Sequence, residues 1–345
     1  MKVLFVKIRN YGKIFLKYNF FGGNMKKSLS VLFLLVLASA MFCNSGSFSI
    51  ITDAAYKPYS KPVAVNTDDD VNRVAPLSGF YSGVEARVTG KYNYVIPTPF
   101  GTNPLVKGNN VNLSCALEIS PVTLASQFGV SFTPIAFLNF SASAKLGTGW
   151  EFIGIQGHGN YISSETGFKP YSSLKNFYYE YKLSGLFQFD LAAIVPGDWN
   201  HVVTMATYDF IYKGVNGIEK QNPSTWQAGD FFQGWNYYSS IILGYQMPIV
   251  LQTVGLQLEM EGLFSDKNVG NVFADYDPTF MRIGINPVFI FKFNEKHSLT
   301  TQFSFSSRRG FTSEKPENMN TSYDLTSNGR EWFFNRLAFS YSIKL

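Results

Sequence analysis

The sequence predicts an all-β protein, a transmembrane up-and-down antiparallel β-barrel of about ten strands. Three observations predict it. From residue 79 onward, apolar and polar residues alternate in run after run, the period of a strand with two unlike faces. No stretch after the N-terminal leader holds 18 consecutive apolar residues, so no helix is expected to cross a bilayer. Aromatic residues are abundant, with 33 Phe and 20 Tyr in a chain that is only 15% charged. Alternating runs with large apolar residues on one face and charges on the other suit a wall whose outside meets hydrocarbon.

The N-terminus comes first. Met25-Lys26-Lys27 precedes the apolar run Val31–Leu37, and Ala38-Ser39-Ala40 follows it. A basic start, a short apolar stretch and an A-x-A site make a signal peptide over 25–40, cleaved near Ala40. Residues 1–24 read as a mis-called extension, because signal peptides begin at the basic stretch and Gly22-Gly23-Asn24 stands where a ribosome-binding sequence would be encoded. Seven of the 29 basic residues precede the cut, and no acidic residue occurs before Asp53. The mature chain is therefore near neutral, slightly acidic, which removes any charge argument for nucleic acid. Residues 41–77 are polar, contain Asp68-Asp69-Asp70 and read as a flexible segment preceding a barrel over 78–345. Cys43 follows Phe42, a poor lipoprotein site, and Cys115 reads as a small hydrophobe on a strand face.

The strands follow in order. In 79–95, Phe80, Val84, Ala86, Val88, Tyr92 and Tyr94 oppose Glu85, Arg87, Thr89, Lys91 and Asn93. In 110–132, Val111 to Ile119 carry the apolar face on odd numbers, opposite Asn112, Ser114 and Glu118. The phase flips at Pro121, read as a bulge, and Val122 to Phe132 continue on even numbers. Thr133-Pro134 turns into Ala136–Leu146. After 147–175, Phe177 to Ala193 alternate with Glu180, Lys182, Gln188 and Asp190. Val195-Pro196-Gly197-Asp198 turns into Val202–Tyr212. Trp235–Met247 follows a loop at 214–233, and Val254–Phe264 opposes Gln257, Glu259 and Glu261. Met281–Phe293 opposes Arg282, Asn286 and Lys292, and Leu299–Phe305 opposes Gln302, Ser304 and Arg308. The last run is Arg336–Leu345, with Leu337, Phe339, Tyr341, Ile343 and Leu345 on one face.

On this reading long connections (96–109, 147–175, 214–233, 265–277, 309–330) alternate with short ones, and ten strands result. If Pro121 is instead a turn and 150–163 a strand, the count is twelve. Either even number puts both ends of the barrel on one side. A secreted β-sandwich or lipocalin-like barrel is the soluble alternative; it would turn these apolar faces inward.

A final strand that alternates and stops on an apolar residue resembles those of outer-membrane β-barrel proteins of diderm bacteria, the porin-like class, with some flavour of spirochaete barrels. The resemblance covers about residues 79–345 and is one of class, not of a specific family. It implies an outer-membrane location, lipid around the wall, and a terminal strand read by the barrel-assembly machinery; Leu345 departs from the frequent terminal Phe. It implies porin-like passive passage of small solutes, or a closed barrel whose long surface loops serve adhesion.

If the apolar face meets lipid, the lumen-facing charged set is Glu85, Arg87, Lys91, Glu118, Glu180, Lys182, Asp190, Glu259, Glu261, Arg282, Arg308 and Arg336. Such a set either lines a narrow passage or packs the interior as paired charges. Tyr92, Tyr94, Tyr212, Trp235, Phe291, Phe293 and Trp332 suit interfacial girdles. Enzyme motifs are thin: G-x-S-x-G, H-E-x-x-H and a P-loop are absent. His158, with Asp209 or Asp275 as conceivable partners, is the only histidine placed for rim chemistry, and a bland loop histidine is the favoured reading. No enzyme activity, cofactor or metal site is expected.

Overall fold

The computed structural model describes residues 46–64, 72–98, 101–103, 105–171, 176–227 and 229–345. The expected extension, the signal peptide and Cys43 lie outside the described residues. Twelve long strands make one sheet: β1 (Gly46–Tyr59), β2 (Gly79–Pro97), β3 (Asn110–Ile119), β4 (Thr123–Ile135), β5 (Leu138–Gly149), β6 (Tyr178–Asp190), β7 (His201–Val215), β8 (Gly234–Gln246), β9 (Leu251–Leu263), β10 (Arg282–Lys292), β11 (His297–Phe311) and β12 (Ser327–Lys344). Each pairs with its neighbours in sequence, and β12 returns to β1 in register from Ser49↔Lys344 to Tyr56↔Leu337. The sheet is a closed antiparallel barrel, with every wall strand paired on both sides.

The count is twelve, not ten, and two physical details account for it. Pro121 is a turn rather than a bulge. Ser120 Oγ accepts the backbone N–H of Thr123 (2.9 Å), and the chain reverses between β3 and β4. The twelfth strand is not 150–163, as the alternative reading had it. It is β1, inside the stretch read as flexible, where Asp53, Ala55 and Lys57 face in while Ile50, Ala54 and Tyr56 face out. Residues 158–163 join a separate four-stranded sheet instead.

Connections at alternate strand ends share one end of the barrel. The connections numbered 60–78, 120–122, 150–177, 216–233, 264–281 and 312–326 leave from one end. The other end holds those numbered 98–109, 136–137, 191–200, 247–250 and 293–296, and the end of β12. The expected alternation of loop lengths thus fails at two places: the turn 120–122 lies with the long loops, and 98–109 lies with the short turns, where Leu105 O accepts from Ala136 N (2.9 Å).

The two faces of the wall differ as a lipid-facing barrel requires. Phe128, Phe140, Leu183, Phe210, Ile241, Leu243, Leu256, Phe305 and Phe339 are exposed on the outside. Asn286, Ser306 and Glu331 are inside and at most 1% exposed. Outward aromatics cluster toward the loop end, where Tyr212 meets Trp235 edge-on (centroids 5.3 Å) and Phe264 packs on Tyr237 (5.2 Å).

The compact apolar core belongs to the loops. Strands Gly167–Pro170, His158–Ser163, Ser224–Trp226 and Gly229–Phe231 form a small sheet across the loop end. Tyr161, Phe232, Leu263, Phe273 and Tyr323 pack together there, drawn from three loops, the cap sheet and the end of β9. Their rings meet mostly edge-on at 5.1–5.8 Å, the arrangement aromatic quadrupoles favour.

Candidate functional site

The site is the charged interior and the loop cap over it. Strand pleating places its residues: on a wall with Leu113, Phe128, Leu183 and Phe210 outside, the alternate positions point inward. All twelve charged residues singled out from the sequence sit at those alternate positions. The structure joins most of them in pairs. Arg87 meets Asp53 (2.7 Å) and Glu118 (3.4 Å), and Lys145 also reaches Glu118 (3.4 Å). Glu85 is held by both Lys57 (2.5 Å) and Arg336 (2.7 Å). Lys182 pairs with Asp209 (3.6 Å), Arg282 with Glu261 (3.1 Å), and Arg308 with Glu331 (2.5 Å).

The remaining members have neutral or peripheral partners. Glu180 accepts from the Tyr178 hydroxyl (2.6 Å), and Glu259 from the Tyr238 hydroxyl and Asn286 Nδ2 (2.7 Å). Asp190 accepts from Ala192 N (3.0 Å) and lies 2.6 Å from His201 Nδ1, at the end with the short turns. Lys91 stands opposite Ala116.

Sequence reasoning missed several partners. Asp53 and Lys57 lie on the unrecognised β1. Lys145 and Asp209 stood in alternating runs and were recoverable from phase alone. Glu331 was not, because it precedes Trp332-Phe333-Phe334, where the β11–β12 register shifts and alternation breaks. Yet Glu331 is the hub of this corner. Its wholly buried carboxylate accepts Arg308 and the backbone N–H of Val63 (2.7 Å), and Arg73 lies 3.6 Å away. Residues Asn72–Val74 pair in parallel with Arg330–Trp332, on the edge of β12 beyond the β1 pairing.

The cap is fastened to the wall. Gln227 donates to Glu118 and to Thr123 Oγ1 (3.3 Å). Trp226 lies flat on Tyr178 (centroids 4.4 Å, 7° between planes). Its indole fills the space over Gly147, where an added Cβ would come within 2.2 Å of the ring; only glycine fits this approach.

His158 belongs to this structure rather than to chemistry. It is 1% exposed, between Tyr171 (4.5 Å) and Trp226 (5.4 Å). Its two ring nitrogens each lie 3.2 Å from a backbone oxygen, of Thr225 and of Asn176. Burial lowers its pKa, so the neutral ring dominates and donates to one of them. Asp209, a conceivable partner, instead accepts from Ser184 in the wall. Among the described residues no cluster of His, Cys, Asp and Glu is placed to hold a metal ion.

Between wall and cap lies a cavity of about 1110 Å³. Asp53, Arg87, Gln302 and Ser340 line it from the wall, and Trp226, Asp230, Phe232 and Tyr323 from the cap. Asp230 opens onto the cavity, and the protein packed around it desolvates its carboxyl and pushes it up to about 6, against hydrogen bonds from Tyr323 and Thr225 that favour its ionised form.

No protein-family model matches the chain, and no curated protein matches it. Among solved structures it is similar to an outer membrane channel from Pseudomonas putida, at 10% identity over 87% of this chain and 96% of that one, TM-score 0.45. It is also similar to the β domain of the Bordetella autotransporter BrkA, at 9% identity over 87% and 99%, TM-score 0.37. A third is KdgM porin, at 8% identity over 86% and 98%, TM-score 0.34. Likeness at this distance says nothing about what the chain carries.

Proposed function

We propose that this chain is an outer-membrane β-barrel of a diderm bacterium that lets small polar solutes pass through a narrow, charged, water-filled interior. The single observation that carries the reading is the cavity of about 1110 Å³, lined by wall ion pairs and by aromatic rings of the cap rather than filled by side chains. Eight-stranded walls are just filled by their own side chains, and walls of 16 to 18 strands leave a wide channel. Twelve strands fall between and leave a restricted bore. The apolar exterior supports lipid as its surroundings, since a soluble chain does not expose that much large apolar surface. Signal-peptide cleavage near Ala40 and recognition of Leu337, Phe339, Tyr341, Ile343 and Leu345 by the barrel-assembly machinery are parts of the same proposal.

The test is conductance. The mature chain, refolded and added to a planar bilayer, is expected to give discrete, ohmic current steps. Silence from a barrel that still migrates faster unheated than boiled would refute passage. It would favour the second reading, a closed structural barrel presenting its loops for adhesion. The observation behind that reading is the aromatic cap, which four connections of the loop end build across the interior.

A further inference from the structure

We infer that the interior favours anions over cations, with small oxyanions such as carboxylates as the solute class it takes best. The inference rests on the passage reading above. It follows from the charge balance on the cavity surface. Four acidic side chains line the cavity: Asp53, Glu85, Asp230 and Glu261. Three of them are matched by wall cations, Asp53 by Arg87 and Glu261 by Arg282, while Glu85 lies between Lys57 and Arg336. That last trio leaves one positive charge over.

Four more cations line the same cavity: Lys213, Arg308, Arg309 and Lys315. Arg309 has neutral partners only, the Asp277 carbonyl (2.9 Å) and the Tyr276 hydroxyl (3.2 Å). Lys315 donates to the Asn320 carbonyl (3.4 Å). Arg308 shares the buried Glu331 with Arg73. Lys213 stands across from Glu180 in the ladder. On the other side of the balance, Asp230 and Glu259 have no cation partner among the described residues: Asp230 bonds to Tyr323 and Thr225, Glu259 to Tyr238 and Asn286. Glu118 shares Arg87 with Asp53 and has Lys145 besides. Among the described residues that line the cavity, the surplus is positive.

Geometry makes that surplus usable. Arg308 lies over Phe333 (4.3 Å) and Arg309 over Tyr276 (4.1 Å). Each guanidinium has a face covered by a ring; Arg308 gives its N–H groups to Glu331 and Ser60, whereas Arg309 bonds through Nε and Nη1 and, among the described residues, keeps Nη2 for a further acceptor. An N–H of that kind donates a charge-assisted hydrogen bond to a carboxylate or phosphate oxygen. A low-dielectric wall confines the field and concentrates counter-ions within the bore.

The experiment is the reversal potential of the reconstituted mature chain across a potassium chloride gradient. Chloride permeability several-fold above potassium is expected. Arg309→Gln combined with Arg336→Gln should bring the ratio toward unity. Acetate replacing chloride on one side should pass at least as well as its size allows. Open channels with a ratio at or below unity would overturn the inference and leave passage standing. Absence of any current in the wild type would overturn passage, and this inference with it. The wild-type ratio decides the matter even if the double variant fails to fold.

Discussion

Glu331→Ala should loosen the Asn72–Val74 strand from the barrel while leaving the wall intact. Glu331 is 0% exposed and holds three partners, Arg308 at 2.5 Å, Arg73 at 3.6 Å and the Val63 amide at 2.7 Å. Removing one member of a buried ion pair costs about 3–5 kcal/mol, because the other charge stays behind unpaired. Arg308 keeps water on one side, being 24% exposed, so this case sits near the lower end, about 3 kcal/mol. Against that stand three residue pairs of parallel ladder, Asn72–Val74 on Arg330–Trp332, and one further backbone bond from Ala75 N to Trp332 O (2.8 Å). At about 1 kcal/mol net for each hydrogen bond, that ladder and bond contribute about 3–4 kcal/mol, so losing the carboxylate removes somewhat under half of the loop strand's hold. The wall strands β11 and β12 remain paired from Ser304↔Arg336 down to His297↔Ile343. Limited trypsin digestion reads the effect. The wild type should resist cleavage after Arg73, and the variant should be cut there early while still running as a folded barrel on an unheated gel. A variant as resistant as the wild type would show that the ladder alone holds the segment and that the ion-pair argument is wrong.

Two further outcomes follow from other parts of the molecule. Ile241→Arg puts a charge on the outer face of β8, opposite Ala206 and Leu258, and should cost about 2–4 kcal/mol of stability in lipid; equal folding yields into vesicles for variant and wild type would argue against hydrocarbon at that face. Asp230 should set a pH step in ion preference. Its folded value of about 6 lies above the ordinary 3.8, so folding favours the protonated acid. The associated destabilisation is absent below the ordinary value, grows as pH rises from 3.8 to about 6, and is constant above that. The chloride-to-potassium ratio should rise as pH falls through about 6, where one negative charge leaves the cavity beside Thr225, Tyr276 and Tyr323. Asp230→Asn should flatten that step, and an unchanged step in the variant would assign it to another group.

The wall was legible where one face is large and apolar and the other polar. Runs such as Tyr179–Phe189 in β6 and Val254–Met260 in β9 show why. A single face meets hydrocarbon, so each outward position is under the same demand, and Glu180, Lys182, Glu259 and Glu261 fall out as inward by phase. β1 was not legible. Its outward positions include Thr52 and Ala54, its inward ones Ile51 and Ala55, and the contrast between faces nearly vanishes. Asp53 and Lys57, two partners of the interior network, were lost with it. The upper part of β12 was hidden by register shifts that place Phe333 and Phe334 on successive positions. Pro121 was misjudged because a phase flip is what both a bulge and a three-residue turn produce. The cap could not be read locally, since His158, Tyr161 and Trp226 acquire their surroundings only from segments distant in the chain.

The cap also makes the surface of the loop end a property of the assembled molecule. Tyr161, Phe232, Phe273 and Tyr323 come from four separate stretches and hold one another in place. Whatever surface they support is therefore a composite epitope, present only while the stretches are assembled. Antibodies raised against linear peptides from any single stretch would meet a shape that the assembled surface does not offer.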